Sequence, residues 1–261
     1  MKSIFKTLFR NDRKESDQIV PYVSSANNAI EHEHISSPIT NISHQLLVGY
    51  SQSIGKQRDH NEDALFSMTT SVTSGDEISE FGLYIIADGM GGHQHGEIAS
   101  ELAIRSLSGY VIRKVFTPIF SSKPSQPQDS LQEIMREGML EAHRSISRQA
   151  PGSGTTMTSV LLIGDQITIA HVGDSRAYAI KQNGEIQCLT RDHSLVNRLL
   201  ELGQLTADEA ANHPQRNVLY RALGQGESFE PDVQNLHINQ TRFLLICSDG
   251  LWGSVSDSNI V

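Results

Sequence analysis

Two stretches of this chain are built alike. In FGLYIIADGMGGH (residues 81–93) and FLLICSDGLWG (residues 243–253) an apolar run ends on a carboxylate and a glycine, Asp88-Gly89 and Asp249-Gly250. Phe81 to Ala87 is seven residues, six of them apolar and two of them isoleucine, which predicts a fully buried strand. Arg242 to Ser248 predicts another buried strand. Each run thus carries an aspartate to the mouth of a core. A lone ionised carboxylate is costly there or takes up a proton, so Asp88 requires a cation, an arginine or a cluster of N–H donors.

Further carboxylates sit at similar places. Asp174 in HVGDSRAYAI interrupts an apolar run, with Gly173 before it and Arg176 after it, and Glu62 and Asp63 in RDHNEDA precede a short apolar stretch. One Asp-Gly pair is ordinarily a turn, but carboxylates gathered at several strand ends repel each other unless divalent cations neutralise them. Oxygen-only ligands favour Mg²⁺ or Mn²⁺ over zinc, and two such ions can activate a bridging water at neutral pH. The glycines after Asp88 would let a backbone carbonyl reach a metal and a substrate come close.

The rest of the chain sets the frame. Its 261 residues suffice for one sizeable core. Residues 11–43 are polar, rich in Ser, Asn and His and without period, so residues 1–43 are expected to form a disordered lead-in and the domain to occupy residues 44–261. Within that lead-in, Ile4, Phe5, Leu8 and Phe9 share a helical face opposite Lys2, Lys6 and Arg10; contact with a membrane surface or a partner competes with a frayed terminus. Helices are predicted over residues 97–116 and 131–149, with a loop at 122–130 between them. From Gly154 a strand, a Gly-Asp turn, a strand, an Asn-Gly turn and a strand predict an antiparallel meander, followed by a short helix at 194–205. Without βαβ alternation the class is α+β.

Charge and cysteine content exclude several functions. The formal charge is -9; residues 1–15 carry five basic and two acidic side chains, a balance of +3, which leaves -12 on the remainder. An acidic body argues against nucleic acid as a partner and suits a protein that gathers cations. Cys188 and Cys247 are too few for a disulfide framework, and no apolar run is long enough to span a membrane, so a cytoplasmic protein is expected. Neither cysteine begins the C-x5-R loop of thiol phosphatases, and DGMGG lacks the Gly-Lys-Ser/Thr of a P-loop. His93 with His95, and His32 with His34, lack the remaining ligands of a zinc hydrolase. Thr155 and Thr156 read as strand residues and Trp252 as core.

The segments RDHNEDA, ADGMGGH, SGTTMTSVLL, AHVGDSRAY, LTRDHSLV, HPQRNVLYRALG and LLICSDGLW occur in an order that resembles the metal-dependent PPM family, the type 2C serine/threonine protein phosphatases, above all its bacterial members. The similarity runs from Val48 to Gly253. It implies a central antiparallel β-sandwich flanked by helices (α-β-β-α layers), with a flap at residues 197–221. It also implies that Asp88 bridges two Mn²⁺ or Mg²⁺ ions, with Glu62 and the Gly89 carbonyl on one and Asp249 on the other. Asp174, again with Asp249, would hold a weaker third ion, and Asp63 would act through water. Arg58 matches the arginine that binds the substrate phosphate, a task that suits its forked guanidinium.

The implied reaction is in-line attack of activated water on phosphoserine or phosphothreonine of proteins, without a phosphoenzyme, opposing a serine/threonine kinase. A monomer is expected. Two departures stand out. Met90 occupies a position where some relatives carry a histidine proposed as general acid. The family pattern also closes with a helix, a strand and an Asp-Asn pair that supplies a ligand to the second metal, whereas SVSDSNIV ends at Val261 soon after a helix start at Ser256. An incomplete domain, or a catalytically impaired phosphatase-like adaptor, is therefore the alternative expectation.

Overall fold

The structure is a computed structural model that describes residues 46–260 apart from 57, 75–76, 92–94, 227–228 and 239–240. The expected lead-in with its amphipathic start, and with it His32, His34 and also His93, lies outside the described residues.

Two antiparallel sheets form the centre. The first runs β1 (Asp63–Ser74), β2 (Glu77–Met90), β4 (Met157–Ile163), β5 (Gln166–Val172), β8 (Asp232–His237), with β3 (Gly154–Thr155) paired to the end of β2. The second runs β7 (Ile186–Cys188), β6 (Arg176–Lys181), β9 (Thr241–Cys247). Strand β4 shows how sequence builds both interfaces at once. Met157, Leu161 and Ile163 join the core beneath the helices, while Val160 and Leu162 point the other way into a smaller core shared with Ala177 and Ile246 of the second sheet. Successive side chains of a strand alternate faces, so an apolar run with no polar face serves a strand covered on both sides.

The helical layer lies on the first sheet. Helix α1 (His95–Val111) continues through a π-helical turn (Ile112–Phe116) into α2 (Thr117–Phe120), and α3 (Leu131–Gln149) starts at Ser130, whose side chain accepts from the Glu133 N–H. That cap and the loop before it match the expected boundaries. Gly138 lets α1 and α3 approach, because a Cβ there would lie 2.6 Å from Leu107 Cδ1.

Two expectations are corrected. Residues from Gly154 onward are not one meander: β4 and β5 form one hairpin and β6 and β7 another, in different sheets. The chain crosses over at Gly173, whose φ of +99° and whose would-be Cβ, 2.5 Å from Thr156 Cβ, both demand glycine. Strand β9 is likewise not fully buried. It is the last strand of its sheet among the described residues, and Phe243 is 54% exposed. Apolar content marks a strand but does not say how many neighbours cover it.

Between β7 and β8, α4 (Leu195–Glu201), shorter than the helix expected over 194–205, and α5 (Ala207–Ala211) fall largely within residues 197–221; α6 (Asp249–Trp252) is a single turn after β9, and α7 (Asp257–Ile260) follows. No helix among the described residues is long and apolar enough to cross a membrane.

Candidate active site

Strand register brings the carboxylates together. Asp63 opens β1 directly opposite Asp88 near the end of β2, and Asp249 opens α6 where β9 ends. A cleft of about 580 Å³ is lined by Arg58, Glu62, Asp63, Asp88 and Asp249. Asp174 does not line it; it lies buried behind, in the crossover between β5 and β6.

Asp88 is the most constrained of the set. Its N–H donates to Thr156 Oγ1 (3.1 Å), and its carbonyl accepts from the Thr156 N–H and from Thr155 Oγ1 (both 2.9 Å). Thr155 is a strand residue, as expected, whereas Thr156 falls in the one-residue step between β3 and β4; both clamp the central aspartate. Burial pushes the Asp88 carboxyl up to about 9, with Asp63, Asp249 and Asp174 adding repulsion in that order. Burial, then Asp249 and Asp192, raises Asp174 to about 7. No arginine bonds to Asp88 among the described residues, so the partner that its burial requires is a cation or a proton.

Glu62 is held by its backbone. Its carbonyl accepts from the Gly89 N–H (3.1 Å) and from Ser100 Oγ of α1 (2.7 Å). Gly89 is obligatory on packing grounds alone, since a Cβ would fall 2.2 Å from the Gly96 carbonyl oxygen. The Glu62 carboxylate accepts from Arg58 Nη1 at 2.5 Å, and His60 Nε2 lies 3.9 Å from its other oxygen. Asp63 accepts from Ser248 Oγ (2.9 Å), which ties β1 to the end of β9.

Among the described residues no group of three or more His, Cys, Asp or Glu side chains converges closely enough to hold an ion as the side chains stand. The donor set nonetheless fits a hard divalent cation, because hard oxygen donors oppose one another in a partly buried cleft with no bonded counter-charge on Asp88.

The family described as protein phosphatase 2C matches residues 49–261. The chain belongs to that family. It is 36% identical over 210 residues to the serine/threonine phosphatase stp of Listeria welshimeri, covering 79% of this chain and 78% of the relative. The crystal structure of the Mycobacterium tuberculosis serine/threonine phosphatase PstP/Ppp superposes with a TM-score of 0.62 at 32% identity, covering 79% of both chains. A PstP catalytic domain solved in complex with two manganese ions matches with a TM-score of 0.55 at 28% identity, over 76% of this chain and 83% of that one. The antiparallel sheets flanked by helices are thus the phosphatase 2C fold, and the family is metal-dependent.

Several residues of this phosphatase 2C site escaped the sequence. Trp252 is not simply core: its indole N–H donates to the Asp174 carbonyl at 2.9 Å. His193 Nδ1 accepts from the Gly173 N–H (3.1 Å), which leaves Nε2–H to donate to Asp232 Oδ2 (3.1 Å), itself beside Arg221. Such partners carry no motif of their own. Cys247 behaves as expected, a buried thiol pushed up to about 11 by burial and so inert.

Proposed function

We propose that this chain hydrolyses phosphoserine and phosphothreonine in proteins, as part of a kinase-linked signalling pathway, with two Mn²⁺ or Mg²⁺ ions and a weaker third. In this reading Glu62, Asp88 and the Gly89 carbonyl hold one ion, Asp88 and Asp249 the other, and Asp174 with Asp249 the third, while Asp63 acts through water. The observation that carries it is the meeting of Asp63, Asp88 and Asp249 at one cleft in a phosphatase 2C fold.

Bound divalent cations supply there the neutralising charge and the activated water. The chain's own residues do the rest. Thr155 and Thr156 hold Asp88 in place before any ligand arrives, so little reorganisation is needed on binding. Arg58, 63% exposed and at the cleft wall, presents its fork to a phosphate dianion. Glu62 is paired with Arg58, so an Arg58 turned toward phosphate would leave the Glu62 carboxylate free to hold a cation.

The test is turnover of a phosphothreonine peptide and of p-nitrophenyl phosphate. Hydrolysis is expected with Mn²⁺ or Mg²⁺ and none in excess chelator. Full activity in chelator would overturn the reading.

A further inference from the structure

Asp174 and Asp249 come from different parts of the fold. One sits where the chain leaves β5 of the first sheet, the other where it leaves β9 of the second. Trp252 joins them. Asp249 opens the single turn of α6 and Trp252 closes it, with the Gly253 N–H donating to the Asp249 carbonyl at 2.8 Å. The same Trp252 donates its indole N–H to the Asp174 carbonyl at 2.9 Å.

Arg176 holds the indole. Its Cζ lies 3.7 Å from the centroid of the Trp252 ring. Its Nε and Nη2 grip Asp192 (3.0 and 2.7 Å) and its Nη1 donates to Tyr178 OH (3.1 Å). All three nitrogens of the fork are therefore engaged, and Asp192 is buried beneath them. Arg176 is thus committed to the indole and not to a phosphate. Stacking on a ring face, a cation–π contact, is strongest where water is kept away.

We propose that Trp252, held by Arg176, is a positioning residue that fixes the Asp174 turn against Asp249 and so sets the affinity of the cation these carboxylates share. It touches neither cation nor substrate. The inference rests on the reading above of Asp174 and Asp249 as ligands. Two like charges held side by side in advance cost less to gather when the ion binds. Losing an outer partner of this kind typically weakens metal binding by about tenfold to 100-fold.

The experiment is calorimetric titration of the protein with Mn²⁺, alongside Trp252→Phe, Arg176→Lys and Asp174→Asn. Trp252→Phe keeps an aromatic face for Arg176 and removes only the N–H donor. It is expected to weaken the weakest class of Mn²⁺ sites about tenfold and to leave the tighter classes unchanged. Turnover at limiting Mn²⁺ should fall and recover as Mn²⁺ is raised, with KM for the phosphopeptide unaltered; damage to the fold would not be rescued this way. Arg176→Lys, which loses the planar fork, should shift the same class in the same direction.

The unaltered protein offers a second readout, because Trp252 is its single tryptophan. Paramagnetic Mn²⁺ should quench its emission in step with the weakest class, and Asp174→Asn should abolish that phase. If Trp252→Phe keeps the parent isotherm while Asp174→Asn loses the weak class, the clamp is refuted and the ligand assignment stands. If Asp174→Asn keeps the parent isotherm, the ligand assignment itself fails, and the clamp with it. Tryptophan emission indifferent to saturating Mn²⁺ would also overturn the proposal, whatever the variants do.

Discussion

Strands β2 and β9 each deliver an aspartate to the cleft, but from opposite surroundings. β2 lies between β1 and β4 with helix α1 against it, and Phe81, Leu83, Ile85 and Ala87 are at most 1% exposed. β9 pairs on one side with β6 and leaves Phe243 54% exposed. The aspartates inherit the difference. Asp88 is pinned through its own backbone to Thr155 and Thr156 within a sheet, whereas Asp249 rides on a single helical turn that Trp252 ties to the Asp174 crossover. Under the proposed ligand roles, a rigid central aspartate and one carried on a short turn would divide the work: the first would fix where charge gathers, the second would adjust how tightly it is held.

The largest effect should come from the central ligand. Asp88→Asn removes the carboxylate that faces Asp63, Asp174 and Asp249 at once. Its metal-dependent kcat/KM is expected to fall on the order of a thousandfold or more, the several kcal/mol that a cation's charge contributes to the transition state. Asp249→Asn should cost less, and part of its loss should return at high Mn²⁺. Equal, unrecoverable losses in both variants would erase the distinction between the two aspartates.

Stability should divide the same way. Leu83→Ala empties a site with 0% exposure and is expected to cost about 3 kcal/mol, the middle of the range for buried leucines. Phe243→Ala acts on a ring more than half exposed, with Arg242 5.0 Å from its centroid, and should cost no more than about 0.5 kcal/mol. Urea midpoints at unchanged m-value measure both. A loss from Phe243→Ala as large as that from Leu83→Ala would mean that β9 is covered as closely as β2.

These contrasts explain what the sequence made legible. Apolar runs ending in aspartate marked β2 and β9 as strands and placed both carboxylates at their ends, because periodicity and turn chemistry act over a few residues. The α3 boundaries were legible for the same reason, since the polar loop at 122–130 is a local fact, whereas the helix expected over 97–116 starts at His95 and runs on through the π-helical turn to Phe120. The sheet to which β6 belongs was not legible, since a two-residue turn and a crossover at Gly173 look alike until pairing is known. Nor was the task of Trp252, whose value lies in a carbonyl 78 positions away. The resemblance supplied the ligand roles; physical reading of the residues supplied only the need for a cation.

Arg58 provides the smallest expected change and the finest discrimination. Its guanidinium is 63% exposed and donates to Glu62, whose side chain is 11% exposed. An ion pair with one partner that open contributes only about 0–1 kcal/mol, so Arg58→Ala should leave the melting temperature nearly unchanged. A bidentate contact with a phosphate dianion is stronger, and its loss should raise KM for a phosphopeptide about tenfold with kcat less affected. Arg58→Lys should recover only part of that, having the charge without the fork. The pairing with Glu62 adds a signed consequence. Removing Arg58 frees the Glu62 carboxylate, so Mn²⁺ affinity should hold or tighten even as substrate affinity falls. Unaltered KM in Arg58→Ala would move the phosphate site away from this wall of the cleft, and weakened Mn²⁺ binding would mean that Arg58 positions Glu62 for the metal instead of competing with it.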